Sequence, residues 1–342
     1  MGLTTLCYVE QDEKYLMMHR ISKKNDVNKD KWIGIGGHFE YGESPEDCLL
    51  REAMEETGLT LTHYVFRGIV TFLCDQLEPE YMCLYTADAF TGELTDCEEG
   101  ILEWVPKSEI SRLNLWEGDR IFFRLLEENA PFFSLKLHYE HNVLQEAVLD
   151  GCPMELIDIL NPDGTVSGRV GERTVIHREG SFHRTSHTWL VRGNRQTGYD
   201  VLLQKRAEGK DAFPGCYDIS SAGHIPAGSD ALDSAVRELK EELGIEASKE
   251  ELRFVGTLEA SIETEFYGKP FRNHELSTVF VLKKDVDVAS LRLQEEEVES
   301  VRWIGLEDCM QGIHGKAFEN CLIVEELMLV KDYLEKENED GL

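Results

Sequence analysis

Two copies of one segment lie in the chain, and this internal repeat restricts the possible folds more than any other feature of the sequence. Positions 37–59 read GHFEYGESPEDCLLREAMEETGL, and positions 223–245 read GHIPAGSDALDSAVRELKEELGI. The offset of 186 residues (223 − 37) is far longer than a solenoid period of about 20–50 residues. It fits two globular domains in tandem, and the length of 342 residues agrees with two domains.

The surroundings of the two copies predict an α+β fold. Apolar, β-branched runs lie before and after each copy, and each half ends in a helical pattern, at 117–128 and 318–335. Between the halves, Asp-Gly-Cys-Pro at 150–153 interrupts regular structure. We therefore predict domains at residues 1–145 and 153–338, each built on a mixed β-sheet with few helices.

The repeated segment predicts a helix over residues 44–57. Ser44 can cap its start together with Asp47. Pro45 suits the first turn, and Gly58 suits the position after the last turn. Four apolar side chains at helical spacing are expected to face the core: Leu49, Leu50, Ala53 and Met54. The second copy repeats the cap, the stop and the apolar positions: Asp230, Gly244, Leu232, Val236 and Leu239.

Each copy also places three glutamates on one face of its predicted helix. With the spacing i, i+3 and i+4, they are Glu52, Glu55 and Glu56 in the first copy and Glu238, Glu241 and Glu242 in the second. Three carboxylates on one turn repel one another, and a hard divalent cation such as Mg²⁺ offsets that repulsion. Arg51 and Arg237 precede the glutamates and can lock a carboxylate through a bidentate hydrogen bond. A solvated acidic face is the alternative for one cluster alone, and its repetition argues against that alternative.

The repeated pattern resembles the Nudix box, the signature of hydrolases that cleave nucleoside diphosphates linked to another moiety. The first copy matches the box at every defined position. The resemblance implies an α/β/α sandwich for each half and attack of water on a pyrophosphate, dependent on Mg²⁺ or Mn²⁺. It implies that the Gly36 carbonyl binds metal together with the three box glutamates, Glu52, Glu55 and Glu56. It further implies that Glu43 and Arg51 orient the box, and that Glu99, or its neighbour Glu98, assists from outside it.

The first half resembles the MutT-type branch, and within it the oxidised-purine nucleoside triphosphatases, from about residue 4 to residue 139. The resemblance implies that Trp116 and Asp119 stack on and hydrogen-bond a purine, which suits an aromatic face and a carboxylate. It includes the segment KWIGIGG, and Trp32 of that segment is predicted to bind substrate. A residue of the core is the alternative role for Trp116.

Two positions of the first half depart from that branch. Ile33 stands where the resembled enzymes have an asparagine that contacts the base, and Gly118 replaces the first of two aspartates. The exact base is therefore left open, and 8-oxo-dGTP is a hypothesis for the substrate.

The second half resembles a different branch, the Nudix proteins similar to isopentenyl diphosphate isomerase. The true isomerase has a cysteine directly before the Gly-His of the box, where this chain has Ala222, so proton transfer lacks its thiol partner. Ser229 replaces the first glutamate of the box. The other box positions remain, and they predict a catalytic and metal-binding site that comprises Arg237, Glu238, Glu241 and Glu242. Glu275 is the candidate accessory glutamate.

The histidines at positions 177, 183 and 187 are a further group of possible ligands in the second half. We predict that they are polar residues at strand ends rather than metal ligands. Trp189, at the end of that run, is predicted to lie in the core.

Together these patterns predict a Mg²⁺- or Mn²⁺-dependent pyrophosphohydrolase that acts on nucleoside di- or triphosphates. The first domain is expected to release monophosphate and pyrophosphate, and the second to hydrolyse another nucleoside-diphosphate-linked substrate. The alternative, which the substitution at Ser229 suggests, is that the second domain is a metabolite-binding or regulatory module. An isomerase is the least favoured function for the second domain, because Ala222 replaces the required cysteine.

Composition disfavours several other classes. The chain has 66 acidic and 35 basic side chains, a net charge of −31, which repels nucleic-acid polymers and anionic membranes. Its nine cysteines are an odd number without a C-x-x-C pair, as expected for reduced thiols in the cytoplasm. The amino-terminal residues lack the basic and apolar regions of a signal peptide.

Overall fold

The computed structural model describes residues 2–21, 27–75 and 77–337. The chain divides into two compact units, one formed by residues up to 156 with 169–175, the other by residues 157–168 with those from 176 onward. Residues 1 and 338, the outer ends of the two predicted domains, lie outside the described residues. Within the described residues, no helix is both long and apolar enough to span a lipid bilayer.

A mixed sheet of nine strands forms the centre of the first unit. Its strands are β1 (Gly2–Gln11), β2 (Lys14–His19), β3 (Trp32–Ile33), β4 (Thr60–Cys74), β5 (Glu80–Thr91), β6 (Ile101–Pro106), β7 (Phe133–Glu140), β8 (Val143–Leu149) and β9 (Cys152–Pro153). They are ordered β3-β2-β1-β5-β4-β7-β8-β9, with β6 beside β2. The pairs β1–β5 and β4–β7 are parallel. The helices of this unit are α1 (Pro45–Thr57), α2 (Asp119–Glu127) and a 3-10 helix (Lys107–Arg112).

The two α-helices of the first unit lie on opposite faces of the sheet. Cys7 and Val9 of β1 share one apolar cluster with Leu49 of α1. Tyr8, between them, belongs to another cluster with Phe122 of α2. Because successive side chains of a strand point to opposite faces, the unit is an α/β/α sandwich, as predicted.

A second mixed sheet of nine strands follows. Its strands are β10 (Leu156–Leu160), β11 (Val166–Glu172), β12 (Phe182–Asn194), β13 (Gly198–Arg206), β14 (Tyr217–Asp218), β15 (Ser221–His224), β16 (Leu252–Phe266), β17 (Lys269–Lys283) and β18 (Val298–Gly305). The order is β11-β10-β12-β13-β14; β15 and β17 also pair with β12, β16 with β17, and β18 with β13. The helices in this part of the chain are α3 (Arg173–Glu179), α4 (Ala231–Leu243), α5 (Leu306–His314), α6 (Val324–Glu337) and a 3-10 helix (Val288–Ser290).

The second unit repeats the sandwich. Leu190 of β12 packs in one cluster with Leu239 of α4. Its neighbour Trp189, which is 0% exposed, packs in another cluster with Leu327 of α6. The prediction that Trp189 lies in the core is therefore confirmed, and the predicted α+β class holds for both units.

The predicted box helix is confirmed as α1. The Ser44 hydroxyl accepts the Asp47 N–H at 3.1 Å, and the Asp47 carboxylate accepts the Ser44 N–H at 3.0 Å. These two bonds satisfy amide groups that have no partner within the helix. Gly58 ends the helix with φ 74°, a conformation that a glycine adopts at little cost. In the second copy, Asp230 and Gly244 cap α4 in the same places.

One predicted core position of α1 is wrong. Leu49 and Ala53 are buried as expected, but Met54 is 45% exposed. Glu56 and Thr57 are buried instead, and the Glu56 carboxylate accepts a hydrogen bond from the loop before the helix. The helix therefore turns a polar residue inward, which a count of apolar residues does not detect.

The last predicted helix, at 318–335, begins later than its apolar pattern indicates, at Val324. The residues before it pair with the backbone of Tyr217. The Tyr217 N–H donates to the Glu319 carbonyl at 2.9 Å, and the Cys321 N–H donates to the Tyr217 carbonyl at 3.0 Å. These backbone groups are bound to a strand that is distant in sequence, so they do not form the first turn of a helix.

Candidate active site

Arg51 is the centre of the first box. It donates to both carboxylate oxygens of Glu43, from Nε at 2.7 Å and from Nη2 at 3.0 Å. Its Nη1 donates to Glu52 Oε1 at 2.7 Å and to Glu55 Oε2 at 3.2 Å. The hydrogen bonds from Arg51 lower the pKa of Glu43 to about 2, so Glu43 stays ionised at neutral pH. One guanidinium thus fixes three of the predicted site carboxylates.

Glu56 is buried against the glycine loop that precedes the box. Its side chain accepts the Gly36 N–H at 2.9 Å. Burial raises the pKa of Glu56 to about 8, and the negative charges of Glu52 and Glu99 act in the same direction. A buried carboxyl group among other carboxylates requires a compensating cation before it can be ionised at neutral pH, and a divalent metal ion supplies one.

Two glycines let the backbone approach these carboxylates. Gly36 has φ 148°, and a Cβ there would overlap with the Thr5 carbonyl oxygen. A Cβ at Gly37 would overlap with the Glu52 carboxylate. A Cβ at Gly36 would therefore force the loop away from β1, and a Cβ at Gly37 would displace the Glu52 carboxylate.

Arg20 joins the site although sequence reasoning missed it. It forms an ion pair with Glu99, the predicted accessory glutamate, whereas Glu98 is exposed. Arg20 also opposes the rise in the pKa of Glu56. Arg206 lies at the same offset in the second copy (20 + 186 = 206). Extension of the repeat upstream of the box would have detected this pair of arginines.

The predicted base-binding residues Trp116 and Asp119 lie together at the start of α2, and both are buried. The Trp116 Nε1 donates to Asn28 Oδ1 at 2.8 Å, and two aromatic rings contact its ring edge-on. The ammonium of Lys31 lies 4.9 Å from the centroid of the Trp116 ring. In this structure Trp116 is therefore part of the core of the first unit, and Lys31 covers the ring.

The structure gives a physical reason for glycine at position 118. The Gly118 N–H donates to the Tyr139 hydroxyl at 2.7 Å, and a Cβ at Gly118 would lie 2.5 Å from that oxygen. An aspartate at this position would therefore displace Tyr139, which is 0% exposed.

Trp32 and Ile33 are neighbours on β3 but face different layers. Trp32 packs against the cluster that contains Trp116, and its ring stacks on the ring of His19 at 4.6 Å. Ile33 packs against the cluster that contains Leu49 of the box helix. The structure thus brings Trp32, but not Ile33, to the layer of the predicted base-binding residues.

The second box has the same geometry around its glutamates. Glu242 Oε2 accepts the Ala222 N–H at 3.3 Å, and burial raises the pKa of Glu242 to about 8. Arg237 donates to Glu238 at 2.6 Å and to Glu241 at 2.8 Å. Four of the box side chains are therefore arranged as in the first unit.

The substitution at Ser229 changes how the second glycine loop is held. Ser229 offers no carboxylate of the kind that Glu43 provides for Arg51. Instead, Arg184 donates to the Ser229 carbonyl at 3.1 Å and to Asp158 at 2.7 Å. Asp158 also accepts the Gly228 N–H at 3.0 Å. An ion pair from outside the box therefore supports this loop.

Four histidines of the second unit form two groups. His177, His183 and His224 each place one ring nitrogen within 4.8 Å of the others. Three imidazoles suit a first-row transition metal such as Zn²⁺, in contrast to the carboxylates of the boxes. His187 instead pairs with Glu326 at 3.0 Å and lies 4.0 Å from Glu275. Sequence analysis missed His224 because it is 41 positions from His183 (224 − 183).

Comparison with known proteins establishes the family. The family model described as the NUDIX domain matches residues 2–126 and 182–321, more than half of the chain. The chain therefore belongs to the NUDIX family. One match lies in each half, which confirms the predicted tandem arrangement and the prediction of a Nudix hydrolase.

Three similar proteins each match less than half of the chain. Over 156 residues it is 36% identical to Nudix hydrolase 3 from Arabidopsis thaliana, a match that covers 45% of this chain but only 20% of that protein. Over 149 residues it is 29% identical to an oxidized purine nucleoside triphosphate hydrolase from Danio rerio, covering 43% of this chain and 94% of that protein. A crystal structure of a mutator MutT protein from Bacillus halodurans is 26% identical with a TM-score of 0.40, covering 44% of this chain and 98% of that one.

Proposed function

We propose that the first unit is a Mg²⁺-dependent pyrophosphohydrolase of purine nucleoside triphosphates, including oxidised ones such as 8-oxo-dGTP. Water is consumed, and a nucleoside monophosphate and pyrophosphate are released. The observation that carries the proposal is the arrangement in which Arg51 holds Glu43 and Glu52 while Glu56 is buried against Gly36. The name of the Danio rerio relative, an oxidized purine nucleoside triphosphate hydrolase, supports purine triphosphates as the substrate class.

The residues of the box fit a divalent cation. Gly36, through its carbonyl, would hold it together with the glutamates of the box, Glu52, Glu55 and Glu56. When bound, the cation supplies positive charge that neutralises the triphosphate and acidifies the attacking water. Mn²⁺ has the same preference for oxygen ligands.

The protein side chains position the reactants. Arg51 keeps the box carboxylates in one orientation, and Glu99, held by Arg20, accepts a proton from the attacking water. We propose that Trp32, Trp116 and Asp119 bind the base once the Lys31 ammonium, which lies over the Trp116 ring, moves aside. The nine free thiols support our further proposal of a cytoplasmic location, where free nucleotides rather than nucleic-acid polymers are the substrates.

Replacement of Glu56 by glutamine tests the proposal. The amide has nearly the same shape but carries no negative charge, so kcat/KM for 8-oxo-dGTP and dGTP is expected to fall by roughly 100-fold or more in saturating Mg²⁺. The matched control is Glu103→Gln, an exposed glutamate of β6, which should retain full activity. Equal activity of Glu56→Gln and wild type would refute the role of Glu56.

For the second unit we propose hydrolysis of a different substrate that contains a nucleoside diphosphate. The buried Glu242 and the Arg237 pairs support this proposal. A metabolite-binding module is the second candidate, and Ser229 is the observation that favours it. Calorimetry with nucleotide sugars and dinucleotides separates the two, because a binding module takes up the ligand without turnover.

A further inference from the structure

Strand register identifies the residue of the second unit that corresponds to Trp32 of the first. Trp32 of β3 is paired with His19 of β2. Tyr217 of β14 is paired with Lys205 of β13, which lies 186 positions after His19 (205 − 19). The two boxes are separated by the same 186 positions (223 − 37). Tyr217 therefore occupies the place in the second sheet that Trp32 occupies in the first.

Tyr217 also has the backbone surroundings of Trp32. The Trp32 N–H donates to a carbonyl of the loop before α2, and the Tyr217 N–H donates to the Glu319 carbonyl, in the loop before α6, at 2.9 Å. Tyr217 lies five positions before Ala222, whose N–H donates to the buried Glu242 (222 − 217). The Tyr217 segment thus leads into the second box, as the Trp32 segment leads into the first.

A guanidinium group lies over the Tyr217 ring. The Cζ atom of Arg302, on β18, is 3.8 Å from the centroid of this ring and 4.8 Å from the centroid of the Phe318 ring. The two rings meet edge to face, with their centroids 5.6 Å apart. A Cβ at Gly312 would lie 2.6 Å from the Phe318 ring, so the glycine lets α5 approach that ring closely. Both rings hold the guanidinium in place through cation–π contacts.

The hydrogen-bond donors of Arg302 have no acceptor in the part of the chain that the structure describes. The side chain is only partly exposed, and its Nε is buried without a hydrogen bond. Arg192 also lies over an aromatic ring, that of Trp303, but it pairs with two carboxylates, those of Asp200 and Asp285. Buried donors without an acceptor cost free energy, and an anionic oxygen atom of a ligand would satisfy them.

We infer that Arg302 determines the substrate class of the second unit by binding an anionic group, a carboxylate or a phosphate. This group belongs to the moiety that is attached to the nucleoside diphosphate. The inference rests on the proposed function of the second unit, in which the diphosphate lies at the second box. The planar fork of a guanidinium matches two oxygens of a carboxylate or phosphate. Such a cation favours a charged group over the uncharged base proposed for the first unit.

The test measures binding of two matched pairs of probes to the full chain. UDP-glucuronate and UDP-glucose differ by one carboxylate, and NADP⁺ and NAD⁺ differ by one phosphate. Calorimetry gives each Kd in Ca²⁺, which takes oxygen ligands as Mg²⁺ does. The proteins are wild type, Arg302→Met, Arg302→Lys and, as matched control, Arg195→Met at an exposed arginine. Urea unfolding checks that each variant is folded.

We expect wild type and Arg195→Met to bind one of the anionic probes roughly tenfold more tightly than its neutral partner. The pair that shows this preference identifies the anionic group as a carboxylate or a phosphate. Arg302→Met should remove the preference and leave the Kd of the neutral partner unchanged. Arg302→Lys keeps the charge but loses the fork, so it should retain a smaller preference than wild type.

Equal affinity of wild type for both members of each pair overturns the inference. So does an equal loss of affinity for charged and neutral probes in Arg302→Met, because the arginine would then bind the diphosphate that they share. Turnover in Mg²⁺ tests the proposed function separately. If wild type prefers an anionic probe through Arg302 but hydrolyses none of the four, the role of Arg302 stands and the hydrolysis proposed for the second unit fails.

Discussion

At the scale of single residues, Arg51 holds together the carboxylates of the first box, which would otherwise repel one another. A planar guanidinium can bond both oxygens of one carboxylate through two parallel N–H groups and still reach a second glutamate, whereas an ammonium group lacks this fork. Four hydrogen bonds from Arg51 reach Glu43, Glu52 and Glu55 at once, and its Nη2 also donates to the His38 carbonyl at 3.0 Å. In the second box, Arg237 serves Glu238 and Glu241 without a counterpart of Glu43.

Replacement of Arg51 by lysine should therefore weaken metal activation. The lysine keeps the charge but loses the bidentate bond to Glu43, so the Mg²⁺ concentration for half-maximal activity is expected to rise by roughly 10–100-fold. A Mg²⁺ activation curve for dGTP hydrolysis measures the effect. The control is Arg112→Lys, an exposed arginine of the 3-10 helix that pairs with Glu109, three positions earlier. Identical activation curves for Arg51→Lys and wild type would contradict the role of Arg51 in orienting the box carboxylates.

At the scale of elements, helix α6 is attached to strand β12 by a buried charged contact. His187 Nδ1 lies 3.0 Å from Glu326 Oε2, and Trp189 Nε1 donates to the other oxygen of Glu326 at 2.7 Å. Burial disfavours the charged imidazole, but Glu326 and Glu275 outweigh it and raise the pKa of His187 to about 9. The imidazolium is therefore the form that holds the helix.

This contact predicts how the stability of the second unit depends on pH. Because the pKa of His187 is higher in the folded than in the unfolded chain, its contribution is complete below about pH 6.5 and is lost as the pH rises through about 9. The loss amounts to roughly 3 kcal/mol. Urea unfolding of the full chain at several pH values measures it.

His187→Asn should remove this pH dependence and lower stability at neutral pH, because Glu326 is left buried without its cation. His314→Asn, at an exposed histidine of α5, is the control and should unfold like wild type. A free energy of unfolding for wild type that does not change between about pH 6.5 and pH 9 would show that the pair does not stabilise the fold.

At the scale of the whole molecule, the chain carries two boxes with the same buried glutamate and different supports. Single substitutions in the full chain test the two boxes better than separate halves divided near residue 152 do. The reason is that residues 169–175 belong to the first unit. Glu56→Gln should abolish purine triphosphate hydrolysis, and Glu242→Gln should leave it unchanged while it removes turnover of a second diphosphate class. A broad substrate screen of wild type, both variants and the double variant provides the measurement. If Glu242→Gln changes no turnover but weakens ligand binding, the second unit is a binding module.

The sequence by itself determined the features that depend on neighbours along the chain. The repeat predicted two domains, its resemblance to the Nudix box implied an α/β/α sandwich for each, and the spacing of Ser44, Asp47 and Gly58 predicted where α1 begins and ends. Capping and periodicity involve residues within a few positions, so one sequence suffices to detect them. The same spacing put the box glutamates on one helix face.

Only the tertiary structure decided which of these groups are buried and which distant groups meet them. It exposed Met54 and buried Glu56, and it brought Arg20 to Glu99, Arg184 to Ser229 and Lys31 to Trp116. These contacts join residues 45 to 85 positions apart, which the register of the paired strands brings together. Burial and charge pairing depend on that register rather than on local spacing, and they control the pKa values and the orientation of the site.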